Sequence, residues 1–165
     1  MKHPGLDRSV RGSVLDRLID ERPRDTAEVP PSWTDSVRDL KIAVRRDLEW
    51  LLNTRRIAEP APEAYEELNR SLYHYGFPDI TSLGRDARDT RTRLVRRIEE
   101  TLALHEPRLA GVRVTLAETE ADNRRQLRFL IEALLRMEPN PEQVAFDTVL
   151  EIASGEYHVK GGGGA

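Results

Sequence analysis

The chain has 165 residues, 38% hydrophobic and 33% charged, with a formal net charge of −3, enough for one core carrying an arm. It contains no cysteine, which excludes disulfides, zinc–thiolate centres and thiol catalysis together. No run approaches the ~18 apolar residues of a membrane span, and MKHPGLDRSVRGSVLDRL at the start lacks the apolar stretch of a secretory signal, so a cytoplasmic protein is expected.

In chain order, SVLDRLID places Val14, Leu15, Leu18 and Ile19 on one face of a short helix, with Ser13 as its N-cap. The polar stretch ERPRDTAEVPPSW follows, with prolines at 23, 30 and 31, and has the character of an extended linker. A two-turn helix cut off by such a linker cannot bury its stripe within its own segment. Residues 1–32 are therefore expected to form an arm that docks back on the core or on another protein.

From Thr34 to about Arg55, Val37, Leu40, Val44, Leu48, Leu51 and Leu52 recur at three- and four-residue steps, predicting a long amphipathic helix. Trp50 lies off that stripe and suggests a second contact surface. The prolines of AEPAPEAYEEL break the chain, and a helix is expected to restart over Glu63–Leu72. In YHYGFPDI, aromatics at 73, 75 and 77 surround Gly76 and Pro78, which predicts a packed corner.

Of the 26 basic residues 23 are arginine, and many fall in GRDARDTRTRLVRRIEE. Asp86, Asp89, Glu99 and Glu100 interleave with them, so this stretch predicts a solvated or protein-facing helix surface and not the basic stripe of a nucleic-acid binder. The helix should run from about Asp86 to His105, with Leu94, Val95, Ile98 and Leu102 facing inward.

The stretch LALHEPRLAGVRVTL joins that helix to a strand. Pro107 lacks an N–H and pushes Glu106 out of the α region, so the helix should stop there. Glu106 and Arg108 then flank the joint on irregular backbone, as a surface ion pair or as a recognition point gripping another chain.

Beyond the joint the period changes to two. Val112, Val114 and Leu116 alternate with Arg113, Thr115 and Ala117. In QLRFLIEALLRM, Leu127, Phe129, Ile131, Ala133 and Leu135 share one face, while Leu130 and Leu134 suggest partial cover on the other. A helix is a rival there, because Glu, Ala and Leu favour one. VAFDTVLEI alternates Val144, Phe146, Thr148, Leu150 and Ile152 against Ala145, Asp147, Val149 and Glu151, and EYHV predicts a short returning strand. The result is one α+β domain over residues 33–160, with N-terminal helices packed on a small antiparallel sheet, and a flexible tail at 161–165. Such a sheet cannot close into a barrel and must keep open edges. The strand carrying Val144, Phe146, Thr148, Val149 and Leu150 is expected at or near one of them, available for strand addition.

Catalytic patterns are weak by comparison. Glycoside hydrolysis needs two carboxyl groups facing each other across a sugar, and no spacing ties a second acid to Glu106. His3, His74, His105 and His158 are scattered, with no metal-binding spacing. There is no nucleophile elbow or phosphate loop. The sequence predicts no enzyme, no cofactor and no metal.

Five ordered stretches, SVLDRL, SVRDLKIAVRRDLEWLLNTRR, SLYHYGFPDI, HEPRL and FDTVLEIASGEY, together resemble the type VI secretion baseplate wedge family TssE. That family is similar in turn to the phage baseplate proteins labelled gene 25-like lysozyme. The corner departs mildly, reading His74-Tyr75-Gly76-Phe77-Pro78-Asp79 where relatives are expected to carry an Asn-Tyr-Gly-Leu-Pro-Asp type. The resemblance implies a non-enzymatic wedge subunit in a cytoplasmic baseplate docked at the inner membrane, with TssF and TssG as partners. It implies that sheath assembly, by TssB and TssC, starts from the sheet, with Val144, Phe146, Thr148, Val149 and Leu150 as the sheath-contact strand. It also implies that Glu106, Pro107 and Arg108 contact the partner core bundle, with Val14, Leu15, Leu18 and Ile19 docking on the wedge. A wedge protein of a phage tail or extracellular contractile particle, or a peptidoglycan hydrolase, are the alternatives.

Overall fold

The computed structural model describes residues 10, 12–19, 32–59, 61–62, 64–69, 71–78, 87–117 and 125–161. Residues 21–31 of the expected linker, Asp79, Asp86, the turn at 118–124 and residues 162–165 lie outside the described residues. The chain divides into two units, residues 1–44 and 45–165.

In the first unit, helix α1 spans Val14–Leu18 and opens with a reciprocal cap. The Asp16 N–H donates to Ser13 Oγ at 3.1 Å, and the Ser13 N–H donates to the Asp16 carboxylate at 2.9 Å. Val14, Leu15, Leu18 and Ile19 are all exposed, Leu18 at 76%. Helix α2, Trp33–Asn53, begins in this unit and continues through the boundary. Its whole predicted stripe is buried, from Val37 and Leu40 to Leu51 and Leu52, while Trp50 is half exposed.

In the second unit, α2 ends at the aromatic corner. The helix expected over 63–72 shrinks to α3, Glu66–Asn69. Ser71 is the cause: its Oγ donates to the Leu68 carbonyl at 2.8 Å and accepts from the Tyr73 N–H at 3.1 Å. The serine thus competes with the helical ladder and starts a separate 3-10 turn over Leu72–His74. The Phe77 N–H then reaches the Thr54 carbonyl at 2.7 Å, and the Arg56 N–H reaches the Phe77 carbonyl at 3.0 Å. Gly76 makes this approach possible, with φ +106° and a position where a Cβ would lie 2.4 Å from the Thr54 carbonyl oxygen.

Helix α4, Ala87–His105, packs on strand β1, Leu109–Ala117. Strands β2 (Gln126–Leu135), β3 (Glu142–Glu151) and β4 (Tyr157–Gly161) complete a four-stranded antiparallel meander in the order β1-β2-β3-β4. The helical rival for β2 loses because pairing on both sides buries Phe129, Ile131, Ala133 and Leu135. Tertiary packing overrides the local preference of Glu, Ala and Leu. Gly161, expected in the tail, ends β4.

Strand β1 buries both Leu109 and Val114, five residues apart, which strict alternation forbids. A register shift between Ala110 and Arg113 resolves the conflict. Gly111 and Val112 there oppose a single β2 residue, and Gly111 at φ +61° supplies the left-handed turn of a bulge.

This topology bears on two sequence expectations. Leu130 and Leu134, on the outer face of the sheet, have only partial cover, being 37% and 47% exposed, while the fully buried side chains of β2 are those on its other face. The strand with Val144, Phe146, Thr148, Val149 and Leu150 is not an edge: β2 pairs with it along its length, and β4 pairs with Phe146–Leu150. Val144, Phe146, Thr148 and Leu150 are completely or almost completely buried. Val149 lies opposite Arg128 on one side and His158 on the other. The sequence pattern showed a buried face and a returning EYHV strand, but not that this strand would pair along the outer side of β3.

Gly76 and Gly111, two of the four positive-φ glycines among the described residues, give a graded test. Gly76→Ala meets both backbone strain and a backbone clash, whereas a Cβ at Gly111 has open space within 4 Å. Gly111→Ala should cost about 1–2 kcal/mol and Gly76→Ala clearly more, as measured by urea unfolding of the full chain. Equal losses would show that the corner yields to admit a side chain.

Candidate functional site

The Glu106–Arg108 joint is built from three elements. Helix α4 closes with the Glu106 N–H on the Leu102 carbonyl at 2.9 Å, and the turn closes with the Leu109 N–H on the Glu106 carbonyl at 3.1 Å. The Arg136 N–H donates to the Arg108 carbonyl at 2.7 Å, tying the turn to the end of β2.

The side chains form a compact ionic chain. The Glu106 carboxylate accepts from Arg108 Nε at 2.6 Å, from the Arg108 backbone N–H at 3.2 Å, and from Arg108 Nη2. Arg108 Nη2 also donates to Asp47 Oδ2 on α2 at 2.7 Å. Asp47 Oδ1 accepts from Arg46 Nε and Nη2 at 2.9 and 2.8 Å. The Arg46 guanidinium lies 4.8 Å from the Trp50 ring centroid, a cation–π contact at the surface. Two cations and two anions are thus strung from a buried carboxylate to an exposed indole.

This geometry corrects the picture of two displayed charges. The Glu106 side chain is only 5% exposed and is enclosed by Arg108, whose own side chain is 24% exposed. Pro107 is exposed. What the joint presents outward is therefore the proline and a minor part of the Arg108 side chain. Burial lowers the Arg108 pKa, but hydrogen bonds to Glu106 and Asp47 outweigh it and the pKa rises overall. Nη1 is buried without a hydrogen-bond partner among the described residues. The Tyr75 pKa is raised, first by burial and then by the nearby Asp47 and Glu106 charges, with Arg108 partly offsetting them.

Beside the cluster, Tyr75 and His105 meet edge to face at 5.4 Å, and His105 Nε2 lies 3.1 Å from the His74 carbonyl oxygen. Arg56 Nε donates to His74 Nδ1 at 3.1 Å, so that nitrogen carries no proton. Both histidines have lowered pKa values, chiefly from burial, with Arg56 adding to the shift. Among the described residues, no three His, Cys, Asp or Glu side chains converge as a metal site.

A family model described as baseplate wedge protein gp25 matches residues 38–140. The chain belongs to that family. The match spans most of α2, the corner, α4, the joint and strands β1 and β2. The gp25 family resemblance and the α+β fold expected from the sequence are both confirmed, and the family places the chain among structural components of a baseplate. No curated protein matches the chain.

Sequence reasoning singled out Glu106 and Arg108 but missed Asp47 and Arg46, which sit on the polar flank of α2 among many other charged residues. It also missed the side chains that guard the sheet edges. Asn53 on α2 exchanges two hydrogen bonds with the Tyr157 backbone, both 2.8 Å, and Glu49 accepts from the Val159 N–H at 3.2 Å. On the opposite edge, Glu99 of α4 accepts from the Val114 N–H at 2.8 Å. An open cleft of 490 Å³ runs along the β4 side, lined by Glu49, Asn53, Phe77, Tyr157 and neighbouring residues.

Two outcomes are expected for the isolated chain. Arg108→Ala strands a buried carboxylate and should destabilise the fold by about 2–4 kcal/mol, less than a fully enclosed pair would lose because the Arg108 side chain is 24% exposed. Arg108→Lys should recover only part of the loss, since an ammonium cannot fork; an unchanged urea midpoint in Arg108→Ala would remove the joint's structural role. The second outcome concerns pH. The unfolded chain protonates His74 and His105 near the ordinary value of ~6.5, above their folded values. The unfolded state thus binds more protons in that window, and stability should fall as pH drops from 7.5 to 5.5. His74→Asn, which retains an acceptor without titrating, should flatten this slope in thermal melts.

Proposed function

We propose that this chain is the structural wedge subunit of a type VI secretion baseplate, acting on the cytoplasmic side of the inner membrane and performing no catalysis. The observation that carries this reading is membership of the gp25 family, joined to an open antiparallel sheet held against a rigid ionic joint. In this role the chain supplies geometry to neighbouring subunits. No helix among the described residues is long and apolar enough to cross a membrane.

Two surfaces suit the wedge partners TssF and TssG. The first is the arm: Val14, Leu15, Leu18 and Ile19 form an apolar stripe left in solvent, although burying one such side chain is worth about 1.5–3 kcal/mol. A capped five-residue helix with no buried residue gains stability by laying that stripe in a partner's groove, a common mode of helix recognition. The second is the joint, where Pro107 and the outer part of Arg108 face solvent on backbone fixed by α4, β1 and β2. Glu106 acts there from within, fixing the Arg108 side chain whose outer part a partner would meet.

The sheet offers the third surface. Strand addition to it by the sheath proteins TssB and TssC would start sheath assembly. In the hydrolase alternative, Glu106 and Asp47 would have to face each other across a sugar, but both are occupied as acceptors toward Arg108. A wedge of a phage tail or an extracellular contractile particle would use the same surfaces, with other partners.

Leu18→Asp should leave the melting temperature of the full chain within ~1 °C, because an exposed position contributes little to the fold, and should abolish co-purification with TssF and TssG. Retained co-purification would remove the arm from the wedge contact, while failure of the wild-type chain to co-purify would overturn the secretion assignment. Purified peptidoglycan should not be turned over by the wild-type chain; turnover lost on Glu106→Gln would restore the hydrolase.

A further inference from the structure

The two edges of the sheet are guarded unequally. On β4, the Asn53 amide donates to the Tyr157 carbonyl and accepts from the Tyr157 N–H. It therefore presents the same donor and acceptor as a peptide group and occupies the place of the next strand. Glu49 closes the Val159 N–H beside it. Tyr157 is further fixed by burial and by an edge-to-face contact with Phe77 at 5.5 Å. A strand arriving at β4 would have to strip three hydrogen bonds made by a long helix.

On β1, the Val114 N–H points away from β2 and meets Glu99 Oε1 at 2.8 Å. In an antiparallel strand the N–H and C=O of one residue point to the same side, and the direction alternates along the chain. The Val114 carbonyl and both backbone groups of Leu116 therefore also point away from β2. None of these three has a hydrogen-bond partner among the described residues. Glu99 itself is half-buried and forms no ion pair among the described residues. Among the described residues, this single side-chain bond holds it over the edge.

We propose that β1 is the strand-accepting edge of the sheet, and that Glu99 is its removable cap. The proposal rests on the strand-addition reading above and names the edge and its regulation. The occupant is an extended segment of a sheath protein with apolar residues at alternate positions. Those residues continue the inward row of Val112, Val114 and Leu116, while the backbone pairs first with Leu116, which offers a donor and an acceptor together. Val95 lies one helical turn before Glu99, also half-buried, and gives the incoming inward side chains an apolar flank. As pairing reaches Val114, a backbone carbonyl of the incoming strand replaces the Glu99 carboxylate, which swings into water. The exchange trades one acceptor for another and regains carboxylate solvation, so the cap opens for a strand that already holds Leu116. Until then it blocks one of the edge donors through which chains aggregate.

The test uses the full chain, ¹⁵N-labelled, alone and with purified TssB and TssC. Alone, the Val114 amide should exchange roughly tenfold more slowly than the Leu116 amide. Glu99→Ala should erase that difference, and Glu99→Gln should retain it because the amide oxygen still accepts. With the sheath proteins, the Leu116 amide should become protected, and Glu99→Ala should tighten capture roughly tenfold. Unchanged Val114 exchange in Glu99→Ala would remove the cap. New protection at Tyr157 and Val159, with Leu116 unaffected, would overturn the β1 assignment while leaving strand addition intact. Sheath capture without protection at either edge would sink strand addition and this proposal together, and failure of every variant to capture sheath protein would sink the assembly role itself. Pairing of β1 between two copies in the wild-type chain, seen by sedimentation and Leu116 protection without sheath protein, would replace the sheath strand as occupant.

Discussion

The fork that Arg108 extends to Glu106 and Asp47 is the constraint on which the rest of the second unit depends. It ties the end of α4 to α2, and the backbone of the same residue binds the end of β2. It thereby adds a side-chain tie to the helix stop, the turn and the strand start that Pro107 separates. Two carboxylates and two guanidinium groups balance in charge, so burying the inner part of the chain leaves no net ion without a counter-ion. The arrangement is costly to break at either partner and poor as an acid–base pair, because its carboxylates are already engaged with a fixed cation.

The sheet is arranged in a complementary way. One face carries the core; the other exposes Leu130 and Leu134 beside charged residues. Four strands cannot close, and some of the outward backbone groups at each edge are met by helix side chains instead of another strand. Asn53 and Glu49 hold β4 firmly, whereas Glu99 holds β1 by one bond. The proposed role, accepting a strand from one partner while refusing further copies of the chain, would use such an imbalance. It would also use an edge fixed against a rigid joint, and β1 begins at Leu109, next to Arg108.

Much of the fold was legible in residue patterns. The three- and four-residue steps from Val37 to Leu52 marked a helix whose stripe is buried, and Pro107 placed the end of α4 at His105. The change to period two after Ala110 located the meander, although no pattern showed that Gly111 would host a bulge. The failures also have physical causes. Ser71 ended α3 because a hydroxyl competes locally with the helical ladder. The edge was misassigned because alternation reports which face is buried, not how many neighbours a strand has. Val149 and Val114 look alike in sequence, yet one lies between two strands and the other meets a helix.

The sequence alone determined the α+β class, the helix stop at the Glu-Pro-Arg joint, the apolar arm stripe and the resemblance that led to the family. These depend on local periodicity, on the missing N–H of proline and on ordered motifs, all of which are properties of neighbouring residues. Only the tertiary structure decided that Glu106 is enclosed, that Asp47 and Arg46 complete its ionic chain, and that β1 and β4 form the edges. Those features depend on pairs 61 or 104 residues apart, such as Arg108 with Asp47 and Tyr157 with Asn53. At such separations one charge among many gives no local sign of its partner, because the contact exists only after helices and strands have packed.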